Sequence, residues 1–499
     1  MAGWRAVVWG IVAACGCGDA ASAVPAQRLP LTDARRLQPV ITPLPEPEYP
    51  SLVDPDVRNT LMLKGYGDWD EAPGEPCLEN SEAKPPKRGP KARRLLRFAY
   101  LTDINIVDDE SPARAVNADQ PTTFSRAFRP QESEICHMAN AMVRTLNEVH
   151  AQAPLQLVLL GGNLIDNAQQ NELGWALAIL NGADRVECDS GADTDLVPDV
   201  KDGKDPFNAP GLAMPFYWVT GNHDLLMQGA LAPVGPYAAF AVGETPGPGF
   251  ARRDFDQPGG PATMNPTAAD ARRAFLTRTD LMRRIAEDGD GHGLSAKQVE
   301  SGKAFYSFDI DDTPLRFVVL DTAAESGSAE GLLRRGDVAA HVRPMLDEAR
   351  ADKKWVLLAA HHRAVGLADG ANFNGNVQED ALSADEWLAV LGEYPNILYS
   401  LAGHERADHV EQLVPGGLWE LTSAALGDYP HQARVMELWD EDNGYVSLEA
   451  IYVDMDMRGD SVAEQGRHLG LMDHASGWNP VFASGITEGR NVRVFAKKP

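Results

Sequence analysis

Residues 155–170 read LQLVLLGGNLIDNAQQ: a nearly unbroken apolar run from Leu155 to Leu160, two glycines, an asparagine, then polar residues leading into a helical pattern. A short apolar run closed by glycine reads as a buried strand, and a helix following it closes a βα unit. In open α/β sheets the carboxyl ends of such strands carry the chemistry. Asn163 is the first side chain delivered there. The question raised by this stretch is why a neutral amide stands at that point.

The chain on either side repeats the pattern. LLRFAYLTDINIVDDESPAR, residues 95–114, opens as a strand, and residues 131–150 place Ile135, Met138, Met142, Val143 and Leu146 close to helical spacing behind Pro130. With a helix predicted over 170–180, the order is βαβα. Further strands are expected in FYWVTGNHD (216–224), KWVLLAAHH (354–362) and NILYSLAGH (396–404), with hairpins in residues 303–323 and 434–454. Two insertions interrupt them. Residues 181–213 are acidic and rich in Gly and Pro; without the ligand register of an EF-hand they read as a surface loop rather than a calcium site. Residues 229–300 carry two expected helices. The Pro-rich stretch 24–93 reads as an extended lead-in that wraps the domain at 94–456, and 457–499 as a C-terminal extension.

Seventy-two acidic against 45 basic residues give a formal charge of −27, which argues against nucleic acid and against direct binding to an anionic membrane surface. Residues 1–23, MAGWRAVVWGIVAACGCGDAASA, have one arginine and an apolar stretch too short to cross a bilayer, the layout of a secretory signal. VAAC resembles a bacterial lipobox, which implies cleavage before Cys15 and its acylation; cleavage after Ala23 is the alternative. Either places the protein in the cell envelope, the first with a lipid anchor on the periplasmic or outer-membrane side. Cys17, Cys77, Cys136 and Cys188 would then form up to two disulfides, with three connectivities open.

Five strands end in polar clusters: TDIN (102–105), GNLID (162–166), GNHD (221–224), AHH (360–362) and GHER (403–406). In order and spacing these resemble the calcineurin-like metallophosphoesterases, whose pattern is D-x-H, G-D-x-x-D, G-N-H-D/E, a later His and G-H-x-H. IVDDESPAR (106–114), GYGDWDEAPGEP (65–76) and GDYPHQAR (427–434) look like a secreted bacterial subgroup of that superfamily. The resemblance spans about residues 94–456. It implies a four-layer αββα sandwich, a two-metal cleft at one edge and hydrolysis of phosphoric esters.

Two divalent cations about 3.5–4 Å apart would repel by on the order of 15–20 kcal/mol at an effective dielectric near 20, so a carboxylate bridging them is needed. The resemblance assigns Asp103 to the first metal, but Asn105 stands where that metal's histidine belongs, Asn163 where the bridging aspartate belongs, and Arg406 where its last histidine belongs. Asn222, His361 and His404 match ligands of the second metal, with Asn163 as a further neutral donor. His223 matches the histidine that meets the phosphate, Asp224 its orienting partner, and Asp166 a supporting carboxylate. All three substitutions fall on the first metal. The expectation is at most one divalent ion (Zn, Mn or Fe) at the second site, or none, with Arg406 bridging to Asp103 in the first metal's place. Asp108, Asp109 and His409 are nearby alternatives as ligands, set against a surface-loop reading. Two functions follow: a phosphorylated-ligand binding protein whose two-metal catalysis is impaired or absent, or a phosphoesterase working with one metal or altered ligands.

Overall fold

The computed structural model describes residues 30–80, 87–121, 124, 127–191, 201–257, 259–324, 327–371, 377–415, 417–479 and 489–499. Two sheets lie face to face. The first has seven strands in the order β1 (Leu78–Asn80), β13 (Val492–Lys497), β12 (Tyr445–Asp454), β11 (Gln432–Asp440), β2 (Arg93–Leu101), β3 (Val158–Leu160), β4 (Phe216–Tyr217). The second has six: β5 (Tyr306–Asp309), β6 (Leu315–Val319), β7 (Trp355–Ala359), β8 (Ile397–Ala402), β10 (Trp419–Thr422), β9 (Val410–Gln412). Within them β2, β3 and β4 run parallel, as do β6, β7, β8 and β10.

Parallel strands covered on both faces read as continuous apolar runs rather than alternating ones. β2 is buried from Leu95 to Leu101, and β6 over its whole length. Between the sheets Phe98 meets Phe317 edge to face, with centroids 5.7 Å apart. Tyr399 donates from its hydroxyl to the Val446 carbonyl at 2.8 Å, and Trp419 Nε1 to the Phe495 carbonyl at 3.0 Å, so the second sheet also bonds to the first. Helices α1 (Ile135–Gln152) and α2 (Gln170–Asn181) share a core with the first sheet. Helices α3 (Arg343–Ala351) and α4 (Ala384–Gly392) cover the second. The result is the αββα sandwich.

α1 buries Ile135, Met138, Ala139, Met142, Val143, Leu146 and Val149, one face at i, i+3, i+4 spacing. It starts four residues later than expected, because Glu132–Glu134 form a 3-10 turn ahead of it. α2 stops at Gly182, whose φ of +92° ends the helix where another residue would be strained. The hairpins expected in 303–323 and 434–454 are β5–β6 and β11–β12. Three short helices, Pro236–Val242, Arg278–Ala286 and Ala296–Ser301, occupy the insertion read as holding two.

The two flanks depart from the sequence reading. The lead-in carries a helix, Pro55–Leu63, and a strand pair, Arg35–Pro39 with Trp69–Pro73. Its Leu52 and Leu61 pack with Leu469 and Met472 of a helix spanning Ser461–Ala475. That helix lies against α1, and β13 enters the seven-stranded sheet between β1 and β12. Described residues beyond 456, Ala463, Val492 and Val494 among them, therefore join the core. Cys136 is disulfide-bonded to Cys188, and Cys77 is free and exposed. Cys15, Cys17 and the leader reading fall outside the described residues; among the described residues no helix is long and apolar enough to cross a membrane.

Candidate functional site

The loops after β2, β3, β4, β7, β8 and β10 leave the carboxyl ends of both sheets and meet at one edge. Asp103, Asn105, Asn163, His404 and Arg406 all have positive φ, between 52° and 62°. Left-handed backbone is costly for anything but glycine and, less so, Asn or Asp. Five such residues on three adjoining loops mark a backbone shaped to aim side chains inward. Gly221 permits the closest approach: a Cβ there would lie 2.2 Å from Asn163 Oδ1.

Asp103 is wholly buried and engaged on all sides. Thr102 Oγ1 donates to its Oδ2 at 2.8 Å and the His404 amide to the same oxygen at 3.1 Å. Asn163 Nδ2 donates to Oδ1 at 2.9 Å, and Arg406 Nε lies 3.3 Å from that oxygen. Burial alone would raise the pKa of Asp103; the charges of His361 and Arg406 and the two side-chain donors outweigh it and hold it below the usual carboxylate value. Asn163 accepts from the His223 amide at 2.9 Å through its oxygen while its NH2 serves Asp103. The amide thus links two loops as donor and acceptor, which a carboxylate at this point could not do without a proton or a cation.

Arg406 is fully buried. Besides Asp103, its Nη1 pairs with Asp428, and Nη2 lies 3.5 Å from His223 Nε2. Asp428 also accepts from Arg129 Nε at 3.0 Å, and Arg129 Nη1 is 3.2 Å from Asp166 Oδ1. Asp166 in turn accepts from Asn105 Nδ2 at 3.1 Å and faces His223 Nδ1 at 2.9 Å. Charges alternate along Asp103, Arg406, Asp428, Arg129 and Asp166.

Asp224 departs from its expected place. Its carboxylate accepts four backbone N–H groups, of Gly221, Asn163, Leu164 and Ile165, at 2.8–3.1 Å. Asp224 therefore staples two loops, and Asp166 is the carboxylate that faces His223. Burial lowers the pKa of His223 to about 4 against the pull of Asp166, with Arg406 and Arg129 adding to the fall. The neutral ring then carries its proton on Nδ1 toward Asp166 and turns its Nε2 lone pair to Arg406. In that state it has no proton to give a leaving group.

The second-metal residues also come together. The rings of His361 and His404 have centroids 5.3 Å apart, and His361, His362 and His404 place ring nitrogens within 4.8 Å of one another. His362 was not singled out from sequence; its two nitrogens meet Thr322 Oγ1 at 2.9 Å and the Ala329 carbonyl at 3.1 Å. Asn222 donates to the Gly229 carbonyl at 2.8 Å, which leaves its buried Oδ1 without a hydrogen-bond partner. Three imidazoles so gathered suit one divalent cation. Of the residues the resemblance assigns to a first metal, Asp103 is the one carboxylate, and the Arg406 guanidinium lies beside it.

Asp108 and Asp109 are buried, not surface residues, because cations from the insertions reach them. Arg273 Nε lies 3.1 Å from Asp108, and Lys204 Nζ 2.5 Å from Asp109 and 3.2 Å from Glu110. His409 sits at the start of β9, its amide donating to Thr422 Oγ1 at 2.8 Å. Arg129, Asp428 and the Arg114–Glu132 pair, joined at 2.8 Å, were missed by sequence reasoning. Arg114 and Asp428 had a signal, in IVDDESPAR and GDYPHQAR.

No protein-family model and no curated protein matches the chain. Among solved structures it is similar to a dimetal phosphatase from Danio rerio, with 12% identity over 73% of this chain and 100% of that one and a TM-score of 0.40. A purple acid phosphatase from yellow lupin (Lupinus luteus) seeds has 13% identity over 77% and 54%, with a TM-score of 0.31. GAP50, the anchor in the inner membrane complex of Plasmodium, has 11% identity over 76% and 95%, also at 0.31. These are likenesses of architecture, and the chemistry of the cleft is argued from its own residues.

Proposed function

We propose that this protein is a phosphoesterase-like binding protein in which a fixed arginine has taken over the first metal's position, so that two-metal hydrolysis is lost. The observation that carries this reading is the Arg406 guanidinium, fully buried with Nε 3.3 Å from Asp103. A permanent cation there opposes entry of a divalent ion, since like charges a few ångströms apart in a buried site cost several kcal/mol. Asn163 fits the same state: with one cation instead of two, no bridging negative charge is required. By this reading the retained cleft binds a phosphorylated small molecule, and an envelope location with a lipid anchor at Cys15 belongs to the same proposal.

A single-metal phosphoesterase is the second reading. The gathering of His361, His362 and His404, whose ring nitrogens lie within 4.8 Å of one another, favours it. There His361, His404 and Asn222 would hold the ion, which would polarise a phosphoryl oxygen.

Metal content measured by mass spectrometry, together with hydrolysis of p-nitrophenyl phosphate and its bis ester under added Mn or Zn, separates the two. Up to one equivalent of metal and no turnover above a His361→Ala, His404→Ala control is expected. One equivalent with turnover abolished in that control selects the single-metal enzyme. Two equivalents with rapid turnover overturn both.

A further inference from the structure

Away from the cleft, three cationic side chains from three separate parts of the chain converge on a cavity of about 310 Å³. Arg58 comes from the helix Pro55–Leu63, Lys204 from the 181–213 insertion and Arg253 from the 229–300 insertion. In a chain carrying −27 overall, such a gathering needs a local cause. Two of the three have one. Lys204 is paired with Asp109 and Glu110, and Arg253 lies 3.8 Å from Asp109 and 3.9 Å from Glu132.

Arg58 has none. It is 6% exposed, no carboxylate among the described residues lies within ion-pair distance, and its printed hydrogen bond goes to the Gly259 carbonyl at 2.7 Å. Its guanidinium stands 5.8 Å from the Phe128 ring, which Arg253 faces at 5.1 Å. Burial and the neighbouring Arg253 push its pKa down to about 10. Two acidic groups also line the cavity. Glu134 takes a hydrogen bond from Ser133 at 2.9 Å, and burial shifts it toward its neutral form; Asp202 accepts the Lys204 amide at 2.9 Å. Neither lies within ion-pair distance of Arg58, although Glu134, with Glu132 and Asp54, acts on its charge from further off. A buried cation with no ion pair among the described residues is a cost to the fold. Pro55, Met62, Phe255 and Leu469 give the wall an apolar part beside the polar Asn59 and Gln465.

We infer that this cavity binds a small organic anion, its carboxylate or phosphate head on Arg58 and its apolar body against Phe255 and Leu469. The volume suits a ligand of metabolite size and the donor geometry of a guanidinium suits either head group. The site is separate from the Arg406 cleft and does not depend on the reading of that cleft.

The test is calorimetric titration of the full chain with hexanoate, hexyl phosphate and inorganic phosphate, in parallel with thermal unfolding, on the parent and Arg58→Met. Arg58→Met keeps the length of the side chain and removes its charge. One Arg58-dependent equivalent of hexanoate or hexyl phosphate is expected in the parent, weakened about tenfold or more in Arg58→Met, while a phosphate equivalent that is the same in both proteins belongs to the Arg406 cleft and is left out of the comparison. Without ligand, Arg58→Met is expected to unfold at the same or a higher temperature than the parent. The stronger of the two hexyl probes identifies the head group; inorganic phosphate binding as tightly as hexyl phosphate would overturn the role of the apolar wall. No saturable binding in the parent, equal affinities in parent and Arg58→Met, or a lower unfolding temperature for unliganded Arg58→Met would each overturn the proposal.

Discussion

Arg406 touches two carboxylates and one imidazole from a position with no access to solvent. Removing one partner of a buried ion pair typically costs about 3–5 kcal/mol, because the other charges stay behind without water. Arg406→Ala is therefore expected to lower unfolding stability in urea by about that amount, and adding Asp103→Asn and Asp428→Asn to recover part of it. An Arg406→Ala protein within about 1 kcal/mol of the parent would contradict the role given to this pair. The triple change Asn105→His, Asn163→Asp, Arg406→His replaces the cation with ligands and restores the bridging charge. It should raise the bound Mn or Zn by one equivalent in metal analysis. Asp119 supplies a pH test remote from the cleft. Buried beside Ser51, it has its pKa raised to about 7 by desolvation, against the hydrogen bond Ser51 provides. A carboxyl raised on folding contributes full stability below its unfolded pKa near 4 and loses it as pH rises through 7. Asp119→Asn should thus gain on the parent between pH 4 and 7, by on the order of 4 kcal/mol, while matching it below pH 4. At this scale the sequence was informative wherever a residue sat in an ordered strand-end motif, as Asp103, Asn163 and Arg406 do. Arg129 and Asp428 have no such spacing: they reach the site through turns whose course no local pattern encodes.

Among the elements, the parallel strands and both hairpins were legible because their apolar runs are continuous or end at turn residues. The strand Phe216–Tyr217 is far shorter than FYWVTGNHD suggests, since the Trp218 amide turns aside to the His292 carbonyl at 3.0 Å. That partner belongs to an insertion, so local sequence holds no trace of it. The disulfide between Cys136 and Cys188 fastens the start of α1 to the insertion after α2. Closing a loop of 52 residues restricts the unfolded chain by about 4 kcal/mol in the loop-entropy account. Replacing both cysteines with serine should lower the unfolding temperature, and dithiothreitol should lower it in the parent alone. An unchanged parent under reduction would show that the bond contributes nothing to stability.

For the whole molecule, strand β13 carries no signal in the sequence of belonging to a distant hairpin. VRVFAK is a short strand by composition, yet Val492, Val494 and Ala496 are fully buried in the first sheet. A chain stopped after residue 456 is expected to be insoluble or molten, judged by loss of near-ultraviolet circular dichroism; a native spectrum would show that β13 is dispensable to the sheet. β13 also joins β1, from the lead-in, to β12. The seven-stranded sheet therefore receives its first strand early in synthesis and the strand that seats it far later. Until that strand is made, β1 lacks its partner in the sheet and the edge of β12 stands open. Whatever shields that open edge in the meantime decides how much of the protein arrives intact.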